Sequence, residues 1–274
     1  MIKKYSIDNV RDFNLKHIFE CGQCFRWTEE EDGSFTGIAM GRPVNMSFCK
    51  GRLTVENCTE KEFDSVWRTY LDLDRDYGEI KRKLSKCDSK MEEAVKTGNG
   101  IRILHQDLWE MIISFIISQN NNIPRIRGCI ETLSELYGDC AGEYRGRMWY
   151  NLPSPEKLAA LSVDDLAPVR LGYRARYLTG TAKQVVDKGL PENEEELLAL
   201  PGVGPKVANC IELFGMGKMD SFPVDVWVQR VMHEVYGIEE SHKKEMKKYA
   251  KEHFGELGGI AQQYLFYYIR EKNK

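Results

Sequence analysis

Three side chains in one short stretch have the types for nucleophilic amine chemistry. Lys206 follows directly on Leu200-Pro-Gly-Val-Gly-Pro205, in the first turn of a helical pattern. The positive end of a helix dipole and partial burial both favour a neutral amine there. A neutral amine attacks an electrophilic carbon and goes on to a Schiff base. Cys210 lies four residues later, on the same helix face. Asp225 closes Ser221-Phe-Pro-Val-Asp225 and precedes an apolar helical run. Its simplest role is to cap that helix, worth about 1 kcal/mol. A capping carboxylate held in a cleft also stabilises a sugar cation or takes a proton from an amine. Spacing alone does not bring Lys206 and Asp225 together.

The segment 197–216 reads as two helices joined by a glycine turn. Gly202 and Gly204 allow positive φ and close backbone approach. Their amides, with that of Val203 and the open start of the next helix, form a cradle for one phosphate. Such a contact positions a protein on DNA without reading sequence. The plainer reading is an ordinary turn between helices with a glycine cap. The full string, with helices on both sides, resembles the helix-hairpin-helix motif.

The elements that must hold these groups fall into two patterns. Residues 1–100 alternate short apolar runs with Asp-Gly, Met-Gly-Arg-Pro and Lys-Gly-Arg turns, which predicts three or four antiparallel strands. Helices are expected near 60–72 and 76–96. From residue 101 the periodicity becomes helical, so the domain boundary is placed at 100/101, with two helical subdomains in 101–274. Leu108, Met111, Ile112, Phe115 and Ile116 recur at helical spacing. Asn122, Pro124 and Gly138 suit the cap, first turn and end of the next helix. Ser154 and Ser162 are expected to cap two short helices. The fold class is α+β: an antiparallel sheet domain with flanking helices, then a mostly α-helical region.

Composition sets the partners. With 42% hydrophobic and 30% charged residues, the chain is a folded one rather than a disordered one. No stretch reaches the roughly 20 apolar residues of a membrane span, and the first ten residues lack a signal-peptide core. An intracellular protein is expected, in cytoplasm and nucleoid, or in the nucleus of a eukaryote. The formal charge of -3 argues against nucleic acid, but its distribution matters more. Arginines gather at 125, 127, 170, 174 and 176, and lysines at 243, 244, 247, 248 and 251. The eight cysteines are expected to be free thiols. Cys21-Gly-Gln-Cys24 has no second pair at zinc spacing. No cysteine follows Cys210, which excludes a C-terminal four-cysteine iron–sulfur cluster.

Six strings, in order, carry a resemblance: Gly22-Gln-Cys-Phe-Arg-Trp27, Ser114-Phe-Ile-Ile-Ser-Gln-Asn-Asn-Asn-Ile123, Leu171-Gly-Tyr-Arg-Ala-Arg-Tyr177, Leu200-Pro-Gly-Val-Gly204, Pro223-Val-Asp225 and Ala261-Gln-Gln-Tyr-Leu-Phe266. Together they resemble the helix-hairpin-helix glycosylases with a Gly/Pro…Asp signature, and more narrowly the eukaryotic-type 8-oxoguanine DNA glycosylase/lyases. The resemblance implies a base-excision enzyme acting on double-stranded DNA with oxidised guanine, as a monomer and with no required cofactor. It allows a structural monovalent or divalent cation at the hairpin carbonyls. Lys206 would attack the anomeric carbon and Asp225 would stabilise the sugar cation. Phe266 and Cys210 would sandwich the flipped purine, in a pocket with Phe115. Gln262 would bond its Watson–Crick edge, and the Gly22 carbonyl would accept the ring N–H peculiar to oxidised guanine. Asn120 would fill the vacated duplex, Tyr173 would wedge beside it, and Arg125 and Arg174 would donate to the opposite cytosine.

Two positions depart from the pattern. Trp227 stands where the family has a phosphate-binding His, and Ile269 where it has that His's acidic partner. Pro205 removes one backbone donor from the hairpin. Three other readings compete: an endonuclease-III-like lyase for oxidised pyrimidines, an alkylated-base glycosylase, and a non-catalytic DNA-binding module. The last needs neither Lys206 nor Asp225.

Overall fold

The computed structural model describes residues 3–273. The N-terminal part is a five-stranded antiparallel sheet of order β1-β5-β4-β3-β2. Its strands are β1 (Lys4–Ile7), β2 (Trp27–Glu29), β3 (Phe35–Ala39), β4 (Arg42–Cys49) and β5 (Arg52–Glu56). The turn signals predicted β2 to β5. β1, which pairs Lys4–Ile7 with Glu56–Leu53, is one strand more than the upper expectation. Helix α1 (Leu15–Glu20), capped by Asn14, lies under the sheet. There Phe19 stacks on Trp27 with centroids 4.1 Å apart, and the Trp27 indole donates to the Tyr70 hydroxyl at 2.9 Å.

Helices α2 (Glu60–Glu62) and α3 (Arg68–Tyr70) flank a π-helical turn over Phe63–Trp67. Then follow α4 (Tyr77–Leu84) and α5 (Ser89–Thr97). The change of sequence pattern near residue 100 is not where the packing divides. Tyr77, Ile80, Leu84, Met91 and Val95 are buried in the helical core, whereas Leu104 belongs to the sheet core. α4 and α5 present apolar faces that the sheet, already covered by α1 and the 60–70 helices, does not take up.

The helical part is built around α6 (Leu108–Ser118), whose residues are nearly all buried. α7 (Ile123–Tyr137) starts at Asn122, whose side chain accepts from the Arg125 amide, and ends at Gly138. A hairpin of β6 (Cys140–Tyr144) and β7 (Arg147–Tyr150) follows, which the sequence reading did not anticipate. α8 (Pro155–Ala160) is capped by Ser154. The second short helix expected after Ser162 is instead a turn and a 3-10 turn (Ala167–Val169). Pro168, which has no amide to donate, ends the pattern there.

The remaining helices are α9 (Arg174–Lys188), α10 (Glu194–Leu198), α11 (Pro205–Gly215), α12 (Val226–Tyr236), α13 (Lys243–Phe254) and α14 (Gly258–Lys272). α11 packs along α6, and α14 packs against α5 and α12. No helix among the described residues is long and apolar enough to cross a membrane. All eight cysteines are free, and no cluster of three or more His, Cys, Asp or Glu that could hold a metal occurs among the described residues.

Candidate active site

One small cleft lies between α6, α11, α14 and the loop before α12. It is lined by Gly22, Phe115, Lys206, Cys210, Asp225, Gln262 and Phe266, together with Cys21, Phe214, Pro223 and Gln263. Every residue expected for the chemistry and for base recognition therefore lines a single space. Of the four companions, Pro223 and Cys21 were noted from sequence only for other reasons, and Phe214 and Gln263 were given no role. Phe214 is findable by spacing, being four residues past Cys210 on the same face of α11, and it stacks on Phe115 with centroids 5.5 Å apart.

Each reactive group is placed by its own element. Gly204 is the cap of α11 and Pro205 opens it, so Lys206 falls in the first turn. Its ammonium sits 5.4 Å from the centre of the Phe115 ring. Asp225 caps α12, accepting from the Val228 amide at 2.8 Å, which fixes the carboxylate in the lining of the cleft. Pro223 stiffens the approach.

A buried polar knot holds the Asp225 loop to the back of α11. Glu212, on the same helix as Lys206, accepts from the Lys218 ammonium at 2.7 Å, from Asn209 at 3.1 Å and from the Ser221 hydroxyl at 3.2 Å. Ser221 stands four residues before Asp225. These bonds tie the segment leading to Asp225 to the helix that carries Lys206.

The electrostatics around Lys206 run against the expectation of a neutral amine. Burial does oppose the Lys206 ammonium, but the Cys210 sulfur and the Asp225 carboxylate outweigh it and hold its pKa above the ordinary lysine value. Burial pushes the Asp225 carboxyl up, despite its backbone donors and Lys206. Burial likewise raises the Cys210 thiol. At rest the lysine keeps its proton, beside a carboxylate with raised affinity for one.

Gly22 adopts φ +83°, and a Cβ there would lie 3.1 Å from Phe266 Cε1. The positive φ favours glycine, and the Phe266 ring leaves little room for a Cβ. Its neighbour locks it in place. Gln23, fully buried, donates to the carbonyls of Ile18 (2.9 Å) and Arg102 (2.8 Å) and accepts from the Leu104 amide (2.9 Å). The Gly-Gln string is thereby pinned between the sheet domain and the start of the helical core. Phe266 rests on the Gly22 backbone and narrows the slot. Gln262 is buried on α14, and its Oε1 accepts from Gln263 Nε2 at 2.8 Å.

The expected duplex contacts form a second group, at the loop between α6 and α7 and the start of α9. Asn120 is exposed with φ 45°, and Tyr173 is 45% exposed. Arg125 is exposed and donates to the Arg170 carbonyl at 3.2 Å. Arg174 is different, being only 4% exposed. Nε bonds the Gln119 carbonyl at 2.9 Å, Nη2 bonds those of Gln119 and Asn120, and Nη1 bonds that of Leu171 at 3.1 Å. Four of its five N–H donors are thereby spent on the backbone.

The hairpin also departs from expectation in detail. Gly202 has φ +79°, and a Cβ there would meet the Tyr177 ring at 2.4 Å. Gly204 has φ -96°, with nothing within 4 Å of a Cβ, so it needs no special backbone and leaves an open approach. The Val203 amide bonds the Leu200 carbonyl at 3.1 Å and is not offered outward. The amides that open α11 have no intrahelical acceptor. Trp227 is half-buried with the Arg230 guanidinium 5.0 Å above its ring, and Ile269 is buried.

Comparison with known proteins agrees with this geometry. Residues 6–112 match the family described as 8-oxoguanine DNA glycosylase, N-terminal domain, and residues 113–256 match the HhH-GPD superfamily base excision DNA repair proteins. The chain is 31% identical over 212 residues to a probable N-glycosylase/DNA lyase of Methanothermobacter thermautotrophicus, covering 67% of this chain and 68% of that one. It is 30% identical to the N-glycosylase/DNA lyase of Arabidopsis thaliana over 80% of this chain, and spans 65% of that relative's length. A solved structure of the Clostridium acetobutylicum 8-oxoguanine glycosylase/lyase, in complex with double-stranded DNA containing cytosine opposite 8-oxoguanine, superposes with a TM-score of 0.94 at 42% identity. It covers 100% of this chain and 99% of that one. With both matched segments contributing to one cleft, the chain belongs to the HhH-GPD superfamily of base excision DNA repair proteins and carries the N-terminal domain of the 8-oxoguanine DNA glycosylases.

Proposed function

We propose that the chain is a bifunctional DNA glycosylase and AP lyase that removes 8-oxoguanine, preferentially opposite cytosine. The observation that carries this reading is the convergence of Lys206 and Asp225 with Cys210, Phe266, Gly22 and Gln262 on one cleft. A phosphate-binding module alone has no use for a lysine–carboxylate pair. The substrate base must leave the stack to reach such a cleft, at a cost of a few kcal/mol.

Once the base is flipped, Phe266 moves off Gly22 and the purine enters against Cys210. The Gly22 carbonyl accepts the N7–H that oxidised guanine has and guanine lacks, and Gln262 bonds the Watson–Crick edge. An unpaired buried acceptor is the penalty for admitting normal guanine. Asp225 faces the positive charge that builds on the sugar and takes the proton that Lys206 carries at rest. Nζ then bonds C1′ as the N9–C1′ bond breaks, and its electron pair leaves with the base. Asp225 returns the proton to that base. Opening of the sugar ring gives the Schiff base, and loss of a C2′ proton expels the 3′ phosphate.

Asn120 fills the gap in the duplex and Tyr173 wedges beside it. Arg125 is the exposed arginine that reads the opposite cytosine, while Arg174 braces the loop that bears Asn120. The amides at Gly204 and the start of α11 hold a phosphate, with Gly202 shaping the turn. These steps draw on protein groups and call on no cofactor. A cation at the hairpin would have to share carbonyls already in use, since Pro201 O accepts from the Thr181 hydroxyl at 3.1 Å and Leu200 O from Val203.

The test is base release and strand cleavage on matched duplexes bearing 8-oxoguanine opposite cytosine or an oxidised pyrimidine. Release and nicking of the first by at least tenfold over the second is expected. The reverse order would establish the endonuclease-III-like alternative.

A further inference from the structure

We propose that Gln263 is a second base-recognition residue, whose Oε1 accepts a hydrogen from the exocyclic 2-amino group of the flipped purine beside Gln262. This rests on the reading that oxidised guanine occupies the cleft.

Gln263 lines the cleft and is 97% buried, with 3% of its surface exposed. Its Nε2 is committed to Gln262 Oε1 at 2.8 Å. Its Oε1 is buried with no hydrogen-bond partner. A buried amide oxygen without a donor is costly, and native proteins rarely keep one without a use. The bond to Gln262 also couples the orientations of the two carboxamides. Turning Gln263 alone would set two oxygens against each other.

The chemistry of the ligand supplies the missing donor. The Watson–Crick edge of an oxidised guanine presents N1–H and the 2-amino group side by side. With one lone pair already taken by Gln263, Gln262 Oε1 has one left for these two donors. Gln262 Oε1 keeps a second lone pair after accepting from Gln263, and Gln263 Oε1 is free. Two neighbouring acceptors therefore meet two neighbouring donors. Recognition of the 2-amino group would exclude oxidised purines that lack it, such as 8-oxohypoxanthine, because Gln263 would then stay unpaired.

The experiment compares single-turnover base release from duplexes with 8-oxoguanine or 8-oxohypoxanthine opposite cytosine, in wild type and in Gln263→Met. Wild type is expected to favour 8-oxoguanine by about tenfold or more. Gln263→Met is expected to bring that ratio below about twofold, chiefly through a slower reaction on 8-oxoguanine. The ratio is internal to each protein, so general loss of fold lowers both rates and leaves it unchanged. A ratio in the variant equal to that in wild type overturns the assignment of Gln263, as does a wild-type ratio near one. Failure of wild type to release 8-oxoguanine at all overturns instead the reading of the cleft itself.

Discussion

Arg174 donates from Nε to the Gln119 carbonyl at 2.9 Å, and from Nη2 to the Asn120 carbonyl at 2.9 Å. It thereby holds the left-handed turn at Asn120 from behind, while Arg125 is exposed and donates to the Arg170 carbonyl. The two arginines should separate in kinetics. Arg174→Ala is expected to slow excision by a similar factor, about tenfold, whichever base is opposite. Arg125→Ala is expected to flatten the preference for cytosine. Single-turnover rates against the four opposite bases decide, and loss of preference in Arg174→Ala alone would reverse the roles.

The Glu212 knot predicts a coupled loss. Glu212→Ala leaves the Lys218 ammonium and the Asn209 amide without this acceptor, while the Ser221 hydroxyl keeps the Asn209 carbonyl at 3.1 Å. Bonds to a buried charged acceptor are worth about 1.5–3 kcal/mol each before relaxation, so a net loss of roughly 3 kcal/mol is expected in thermal unfolding. Under conditions where the variant stays folded, base excision should fall while affinity for undamaged duplex is kept. Equal loss of both would mean that the knot supports the fold without setting the active site.

The two hairpin glycines should behave oppositely. Gly202→Ala combines positive φ with a clash against Tyr177 and is expected to cost about 2 kcal/mol or more of stability. Gly204→Ala meets neither obstacle and should cost at most about 1 kcal/mol at a helix cap. Its cost should appear in binding to undamaged DNA, because the new methyl stands on the open approach. Fluorescence anisotropy with thermal melts separates the two, and unchanged affinity in Gly204→Ala would remove the phosphate from that face.

Glu110 predicts a pH dependence of stability. Burial pushes its carboxyl up to about 7, opposed by Arg26 and aided by Asp107. The folded pKa is above the unfolded one, so the stabilising share of the protonated form is complete below the ordinary 4.5 and is lost as pH rises through about 7. Glu110→Gln stays neutral throughout. Its Tm relative to wild type should climb between these two values and level off above. A difference that does not change with pH would contradict the assignment.

Much of the site was legible because its parts are local. The glycine turn, the cap at Asp225 and the i, i+4 pair of Lys206 and Cys210 are written in short strings, and local geometry follows from them. Their meeting in one cleft was not legible from spacing, and it was the order of the resembling strings that joined them. What escaped was tertiary. The Lys206 proton depends on which charges face it across the cleft. The commitment of Arg174 depends on carbonyls some fifty residues away in sequence. The β6–β7 hairpin turns on Arg145-Gly146, both with positive φ, and its strands lack clear alternation because only Tyr144 and Trp149 are buried, against Ile38. Gln263 escaped for a related reason, since helical position alone makes it an ordinary core-facing neighbour of Gln262.

The central claim is that Lys206 becomes covalently joined to the sugar. Incubation with an 8-oxoguanine:cytosine duplex in the presence of borohydride should reduce the Schiff base and yield a stable protein–DNA adduct. Lys206→Gln should still bind the duplex and give no adduct. Release of the base by wild type with no trapped adduct would contradict the lysine mechanism, as would an adduct that persists in Lys206→Gln.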